Sequence, residues 1–197
     1  MKKLFLINLY LVLKISTAGI LLSSCDGAMM GAGSSIGIAA FEERTIKTLS
    51  TDLTIATKIR LNLINAEKDF IIKVGIEVFD SRVLMTGTLE NEALAAEAIS
   101  LAWKVKGVKD VLNEIQVKSL NIRDLAIDSW ITAQLVSKVT LDKDVFAINY
   151  KIKTVNGIIY LIGVAQSKPE LNKVLLQAKS IGGVKQVINH VRIKQRK

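Results

Sequence analysis

The chain has 197 residues, half of them apolar, with 27 Lys+Arg against 18 Asp+Glu for a formal net charge of +9. So apolar a composition excludes a wholly disordered charged tail, while the positive balance favours anionic partners such as phospholipid head groups or nucleic acid without specifying a fold. One Cys, one His and one Pro exclude an internal disulfide and a structural zinc site of the usual N/S type. Any Cys/His or Ser/His/Asp centre would have to use His190, which lies near the chain end in strand-like sequence.

The first segment reads as an address. Met1-Lys2-Lys3 is a short basic start, Leu4 to Leu13 is a compact apolar run, and Lys14 interrupts before Ile15 to Leu22 resumes. No uninterrupted run reaches the ~18 residues of a membrane-spanning helix, so residues 1–24 are read as an export signal. Leu22-Ser23-Ser24-Cys25 then places the only Cys behind two small residues and a Leu. This resembles the lipobox of bacterial lipoproteins, in which Cys25 would become the first mature residue and carry acyl chains (palmitate) on its sulfur and amino group. A buried or incidental Cys is the alternative. Several acyl chains give stable anchoring, at about 0.8 kcal/mol per buried CH₂. Asp26 follows directly; in enterobacterial lipoproteins an Asp there tends to retain the protein in the inner membrane. Residues 25–50 are read as the lipidated Cys and a Gly/Ala-rich tether, although Gly27, Gly31, Gly33 and Gly37 also give two GxxxG spacings of the kind that pack helices in lipid.

The rest is an internal repeat. Residues 52–118 and 128–194 align without a gap at an offset of 76, matching Asp52 with Asp128, Phe70 with Phe146 and Gly87 with Gly163. The segment Gly107-Val108-Lys109-x-Val111-x-Asn113 recurs as Gly183-Val184-Lys185-x-Val187-x-Asn189. Two copies of one small domain, 51–119 and 124–195, follow. Asp52 and Asp128 are predicted N-caps of helices carrying Ile55, Ile59, Leu63 and Ile131, Leu135, Val139 at helical spacing. Strands are predicted from Phe70 to Phe79 and Phe146 to Val155, with Ile72, Val74, Ile76 and Val78 alternating. The turn pairs Asp80-Ser81 and Asn156-Gly157 lead into second strands, Val83 to Thr88 and Ile158 to Ala165. Second helices start at Asn91 and Ser167, the latter with Pro169 in its first turn. Last strands run Val108 to Val117 and Val184 to Ile193. The fold class is α+β: each copy is αββαβ, a three-stranded mixed sheet with two helices on one face. At about 70 residues one core is only marginally sufficient, so the copies are expected to pack together or to be helped by a partner.

These tandem GVKxVxN segments, each preceded by a hairpin ending in Gly and a helix, look like BON domains. With the lipobox and the segment Asp128-Ser129-Trp130-Ile131-Thr132, the chain resembles the DolP family of dual-BON outer-membrane lipoproteins over nearly its whole length. That family reads D-T-W-I-T at the equivalent place.

The copies differ in charge. Residues 121–197 hold 13 Lys+Arg and 5 Asp+Glu, whereas residues 25–120 hold 11 and 13. Trp130 aligns with Thr54 and Leu141 with Asn65. At about 100° per residue, Trp130, Gln134, Ser137 and Leu141 form a stripe away from the core side of their helix, and Lys138 and Lys143 lie nearby. An exposed indole beside cations suits a membrane interface; packing of Trp130 against the first copy is the alternative. The resemblance implies that the second domain binds anionic phospholipid (phosphatidylglycerol, cardiolipin) through this helix, with Trp130 at the lipid surface. The family carries Lys and Arg where this chain has Gln134 and Val136, so the cations must come from Lys138, Lys143 or elsewhere. The resemblance also implies an outer-membrane location facing the periplasm, a role in envelope integrity, placement at the division site and contact with the β-barrel assembly machinery. No cofactor or metal and no catalytic residue is expected. Nucleic acid fits poorly, because no aromatic stacking platform is evident. The rival reading is a protein-interaction scaffold with no lipid binding by the domains. Trp103 is expected in core or edge packing, and His190, aligned with Glu114, on an exposed strand face.

Overall fold

The computed structural model describes residues 45–67, 69–119 and 122–195. The segment read as an export signal (1–24), Cys25, Asp26 and the glycines of the tether lie outside the described residues. The first copy consists of α1 (Ile46–Ala66), a single turn α2 (Phe70–Lys73), β1 (Val74–Phe79), β2 (Arg82–Leu89), α3 (Glu92–Trp103) and β3 (Asp110–Val117). The second repeats it with α4 (Ile122–Leu141), a 3₁₀ turn (Ala147–Asn149), β4 (Tyr150–Val155), β5 (Ile158–Ala165), α5 (Lys168–Lys179) and β6 (Gln186–Ile193). Each sheet has its middle strand antiparallel to the first and parallel to the third. The tandem αββαβ reading therefore holds.

Two expectations are corrected. The aromatic residues Phe70 and Phe146 do not open strands. Phe70 starts α2, and Phe146 precedes the 3₁₀ turn, so β1 and β4 begin only at Val74 and Tyr150. Ile72 accordingly leaves the strand alternation and is 76% exposed.

Nor are Asp52 and Asp128 N-caps. α1 begins at Ile46, capped by Thr45, whose hydroxyl accepts the Thr48 N–H. Asp52 sits one and a half turns inside and is buried. Its carboxylate accepts the backbone N–H groups of Asp80 (2.9 Å) and Ser81 (2.7 Å), and that of Asp128 accepts those of Asn156 (2.7 Å) and Gly157 (2.8 Å). Both hairpin turns have positive φ at their two central residues, the type I′ geometry that suits a twisted two-residue hairpin. The recurrent Gly-Val-Lys grips the same turn from its other side. Gly107 and Gly183 take positive φ, after which Lys109 and Lys185 donate their N–H to Ser81 O (2.9 Å) and Gly157 O (2.8 Å). In the same motif, Asn113 and Asn189 accept the N–H two residues on. The repeat thus encodes a carboxylate on the helix and a backbone donor after the second helix, closing on one turn.

Gly87 and Gly163 are demanded by close approach. A Cβ there would run into the carbonyl of Lys73 or of Asn149, and φ is positive at both.

Alternate residues of the middle strands divide between two environments. Val83, Met85 and Leu89 join Ile55, Ile59, Leu63 and Ala98 under the helices of the first copy; Ile159, Leu161 and Ala165 join Ile131, Leu135, Val139 and Val174 in the second. The intervening residues face the other copy. Phe79, Leu84, Val155, Tyr160 and Ile162 form a third apolar cluster, with Leu112, Ile158, Val164 and Ile188 at its margin. The sheets are stacked on one another and the helices form the two outer layers. Fully burying a Leu or Ile contributes about 1.5–3 kcal/mol, so the shared cluster supplies what each small core lacks, as the domain size suggested.

Polar contacts follow the repeat. Glu114 and His190, equivalent positions 76 apart, meet at 2.8 Å. Gln116 donates to the Tyr160 hydroxyl (3.0 Å) and accepts from Asn156 Nδ2 (2.8 Å). Arg82 donates to His190 O (2.9 Å). His190 is therefore half-buried at the domain contact rather than on a free strand face. Contact between equivalent residues is what a pseudo-twofold relation produces.

Candidate functional site

The candidate site is built on α4. Ile131, Leu135 and Val139 are buried, and Thr132 on the same helix donates or accepts a 2.7 Å hydroxyl bond with Thr154 of β4. These contacts fix the rotation of the helix on its sheet. The rotation leaves Trp130 56% exposed and Leu141 80% exposed. Ser137, Lys138 and Lys143 are also exposed. Ile127, about 60° round the helix from Trp130, is also over two-fifths exposed, whereas the equally exposed Leu125 and Val136 lie about 120–140° away on the other flank.

Gln134 departs from the expected stripe. It is half-buried, and its amide nitrogen is closed off with no hydrogen-bond partner among the described residues. The stripe is thus Trp130, Ser137 and Leu141, with Lys138 beside it and Lys143 beyond the helix end. Trp130 takes no part in the three apolar clusters of the described residues. The domain contact is built by the sheets, and Trp130 on α4 is more than half exposed. Trp103 corrects another expectation: it stands 51% exposed at the end of α3.

The loop after α4 is held by charge. Lys173 on α5 reaches Asp142 and Asp144, both at 2.7 Å. The Lys173 hydrogen bond, helped by the Asp144 N–H, keeps the Asp142 carboxyl below its usual range, and the two acids raise the Lys173 ammonium. One lysine therefore offsets half of the charge of the two acids, and Lys138 and Lys143 stand exposed nearby.

Beneath the same loop Glu170 is buried. Its carboxylate accepts the Phe146 N–H (3.1 Å), the Tyr150 hydroxyl (3.1 Å) and the Gln166 N–H (2.7 Å). Burial, with the Glu170 charge, pushes the Tyr150 phenol far above its usual range, so it stays a donor. Glu170 aligns with Leu94 and Tyr150 with Val74. The second copy has thus exchanged an apolar contact for a polar one that ties the α4 exit to β4 and α5.

Among the described residues no helix is long and apolar enough to cross a membrane, and no three His, Cys, Asp or Glu side chains cluster to hold a metal ion. The arrangement is a surface: an indole and aliphatic side chains standing off a rigid helix, bordered by ammonium groups. Such a surface suits an interface that is apolar below and anionic at its edge.

Comparison with known proteins agrees with the repeat. The BON domain family is matched twice, over residues 51–119 and 127–195. The outer membrane lipoprotein DolP of Haemophilus influenzae is 35% identical over 178 residues, covering 87% of this chain and 89% of that protein. A protein of Anaplasma centrale encoded in the gshII 5′ region is 40% identical over 126 residues, 63% of this chain and 83% of its own. The osmotically-inducible protein Y of Escherichia coli K12 is 25% identical over 146 residues, 73% of each chain.

Proposed function

Because the chain belongs to the BON-domain family, we propose that it is a non-enzymatic envelope lipoprotein whose second domain binds anionic phospholipid through the outward face of α4. Cys25 is the lipidated residue and holds the protein at the outer membrane, facing the periplasm. There the domain contributes to envelope integrity and can meet the β-barrel assembly machinery or mark the division site. The observation that carries the lipid reading is Trp130. It stands out from α4 on the same face as Leu141, three turns further along, although the domain contact offers apolar cover that it does not use. Each Lys near an anionic surface adds about 1 kcal/mol, and the indole sits at head-group level.

The test mixes the mature chain, residues 25–197 with Cys25→Ser, with vesicles containing or lacking phosphatidylglycerol and cardiolipin at two salt concentrations. Salt-sensitive binding to anionic vesicles, lost in Trp130→Glu, is expected. Equal binding by Trp130→Glu, or none by the wild type, would leave the acyl chains as the membrane contact and favour the interaction-scaffold reading. Acyl labelling of Cys25→Ala at the wild-type level would overturn the anchor assignment.

A further inference from the structure

α1, on the other outer layer, also carries an apolar face that the fold does not use. Ile46 is 78% exposed, Leu53 66% and Leu61 52%, with Leu49 and Ile64 a little over a third exposed. At about 100° per residue these five side chains fall within an arc of about 120°, directed away from Ile55, Ile59 and Leu63 in the core. Equivalent positions in α4 reproduce it only at the start, where Ile46 aligns with Ile122 and Leu49 with Leu125; Leu53 aligns with Ser129, Leu61 with Ser137 and Ile64 with Thr140. The full length of the face is therefore particular to the first copy.

Its charge is one-sided. Lys47, Lys58 and Arg60 are exposed along α1. The only acid in the helix, Asp52, is buried with its carboxylate on the hairpin amides. Several other acids of this copy are engaged elsewhere: Asp69 and Glu90 with Lys73, Asp110 with Arg82, Glu114 with His190. Glu67 at the end of α1 and Glu92 and Glu97 on α3 are exposed, so the acids lie at the border of the face while the exposed charges within α1 itself are all cations. An exposed apolar stripe flanked by cations is the pattern of an interfacial helix. A second copy of this chain is a poorer occupant, because symmetric α1–α1 pairing would bring the three cations of each helix together. Location points the same way. Ile46 follows Cys25 by 21 residues, so the acyl chains proposed on Cys25 would lie within about 75 Å of the start of α1.

We propose that the outward face of α1 is a second phospholipid-docking surface, opposite the layer that bears Trp130, so that one chain can engage two lipid surfaces. The α1 contact stands without the α4 reading; the bridging rests on both. Being dominated by apolar side chains, the α1 contact is less sensitive to salt than the α4 contact.

The experiment compares the mature Cys25→Ser chain with Leu49→Glu/Leu53→Glu, Trp130→Glu and the combined variant. It reads vesicle sedimentation and vesicle clustering by light scattering, with melting curves to check folding. Wild type is expected to cluster vesicles of phosphatidylethanolamine and phosphatidylglycerol. Leu49→Glu/Leu53→Glu should bind about tenfold more weakly and lose clustering. Trp130→Glu should lose clustering and keep a salt-resistant residue of binding, which the combined variant abolishes. If the melting curve of the double variant moves, Ile46→Glu in the exposed first turn repeats the test. Clustering and binding unchanged by the α1 variants would overturn the proposal. A wild-type dimer that these variants dissociate would also overturn it and assign the face to a second copy. Binding insensitive to Trp130→Glu but lost with the α1 changes would leave this proposal standing and remove the one for α4.

Discussion

Asp128→Ala tests the clamp that organises each copy. The Asp128 carboxylate is buried and accepts two backbone N–H groups at 2.7 and 2.8 Å. Those donors belong to a turn with φ of 53° at Asn156 and 78° at Gly157. Ala leaves two amides of a tight turn without their acceptor. A hydrogen bond to a charged group contributes about 1.5–3 kcal/mol, and the two are not additive, so the loss should be about 3–4 kcal/mol. For a unit of this size that is a fall in Tm of about 6–15 °C. The damage should extend beyond the turn, because Asn156 also donates to Gln116 of the first copy and its carbonyl accepts Lys185 Nζ (2.9 Å). Urea unfolding followed by circular dichroism gives the free energy, and amide exchange at Asn156 and Gly157 gives the local effect. Asp128→Asn keeps the shape but places an NH₂ against one of the donors, and should lose most of the same stability. If Asp128→Asn is within about 0.5 kcal/mol of wild type, or if the two amides stay protected in Asp128→Ala, the carboxylate is not the clamp.

Gly163→Ala should destabilise by several kcal/mol or prevent folding, because its Cβ meets the Asn149 carbonyl at a positive φ; soluble yield and melting check this. Tyr160→Phe removes the hydroxyl that accepts from Gln116 across the domain contact and should cost about 1 kcal/mol in urea unfolding. Glu77 lies between the sheets, where burial raises its carboxyl pKa from 4.5 against the pull of Lys151, Lys153 and Arg60. A raised folded pKa gives stability that is present at low pH and lost as pH rises through the folded value. Stability of Glu77→Gln relative to wild type should therefore increase as pH climbs from about 4.5 upward; a flat difference across that range would refute the assignment.

The 76-residue offset, the I′ turn pairs and the helical and alternating periods were enough to determine two αββαβ copies, because each rests on local geometry: a 3.6 or 2.0 period and a turn that needs positive φ. The match of Gly87 with Gly163 was also visible, though its reason, a carbonyl of the preceding segment pressed against the Cα, was not. Tertiary structure alone decided the role of Asp52 and Asp128. A carboxylate ahead of a helical period looks the same whether it caps its own helix or holds a turn 28 residues away. It also decided that Phe70 and Phe146 precede the strands, and that Gln134 turns inward while Trp130 does not, since about 40° of helix rotation separates those two positions. The pairing of Glu114 with His190 and the filling of the sheet faces by Leu84 and Ile162 depend on how two copies stack. Leu53 and Leu61 read as ordinary helix residues, and Ile46 as the end of the tether, until the packed sheet shows where α1 begins and which side of it is already covered, because exposure belongs to the assembled layers and not to any stretch of chain.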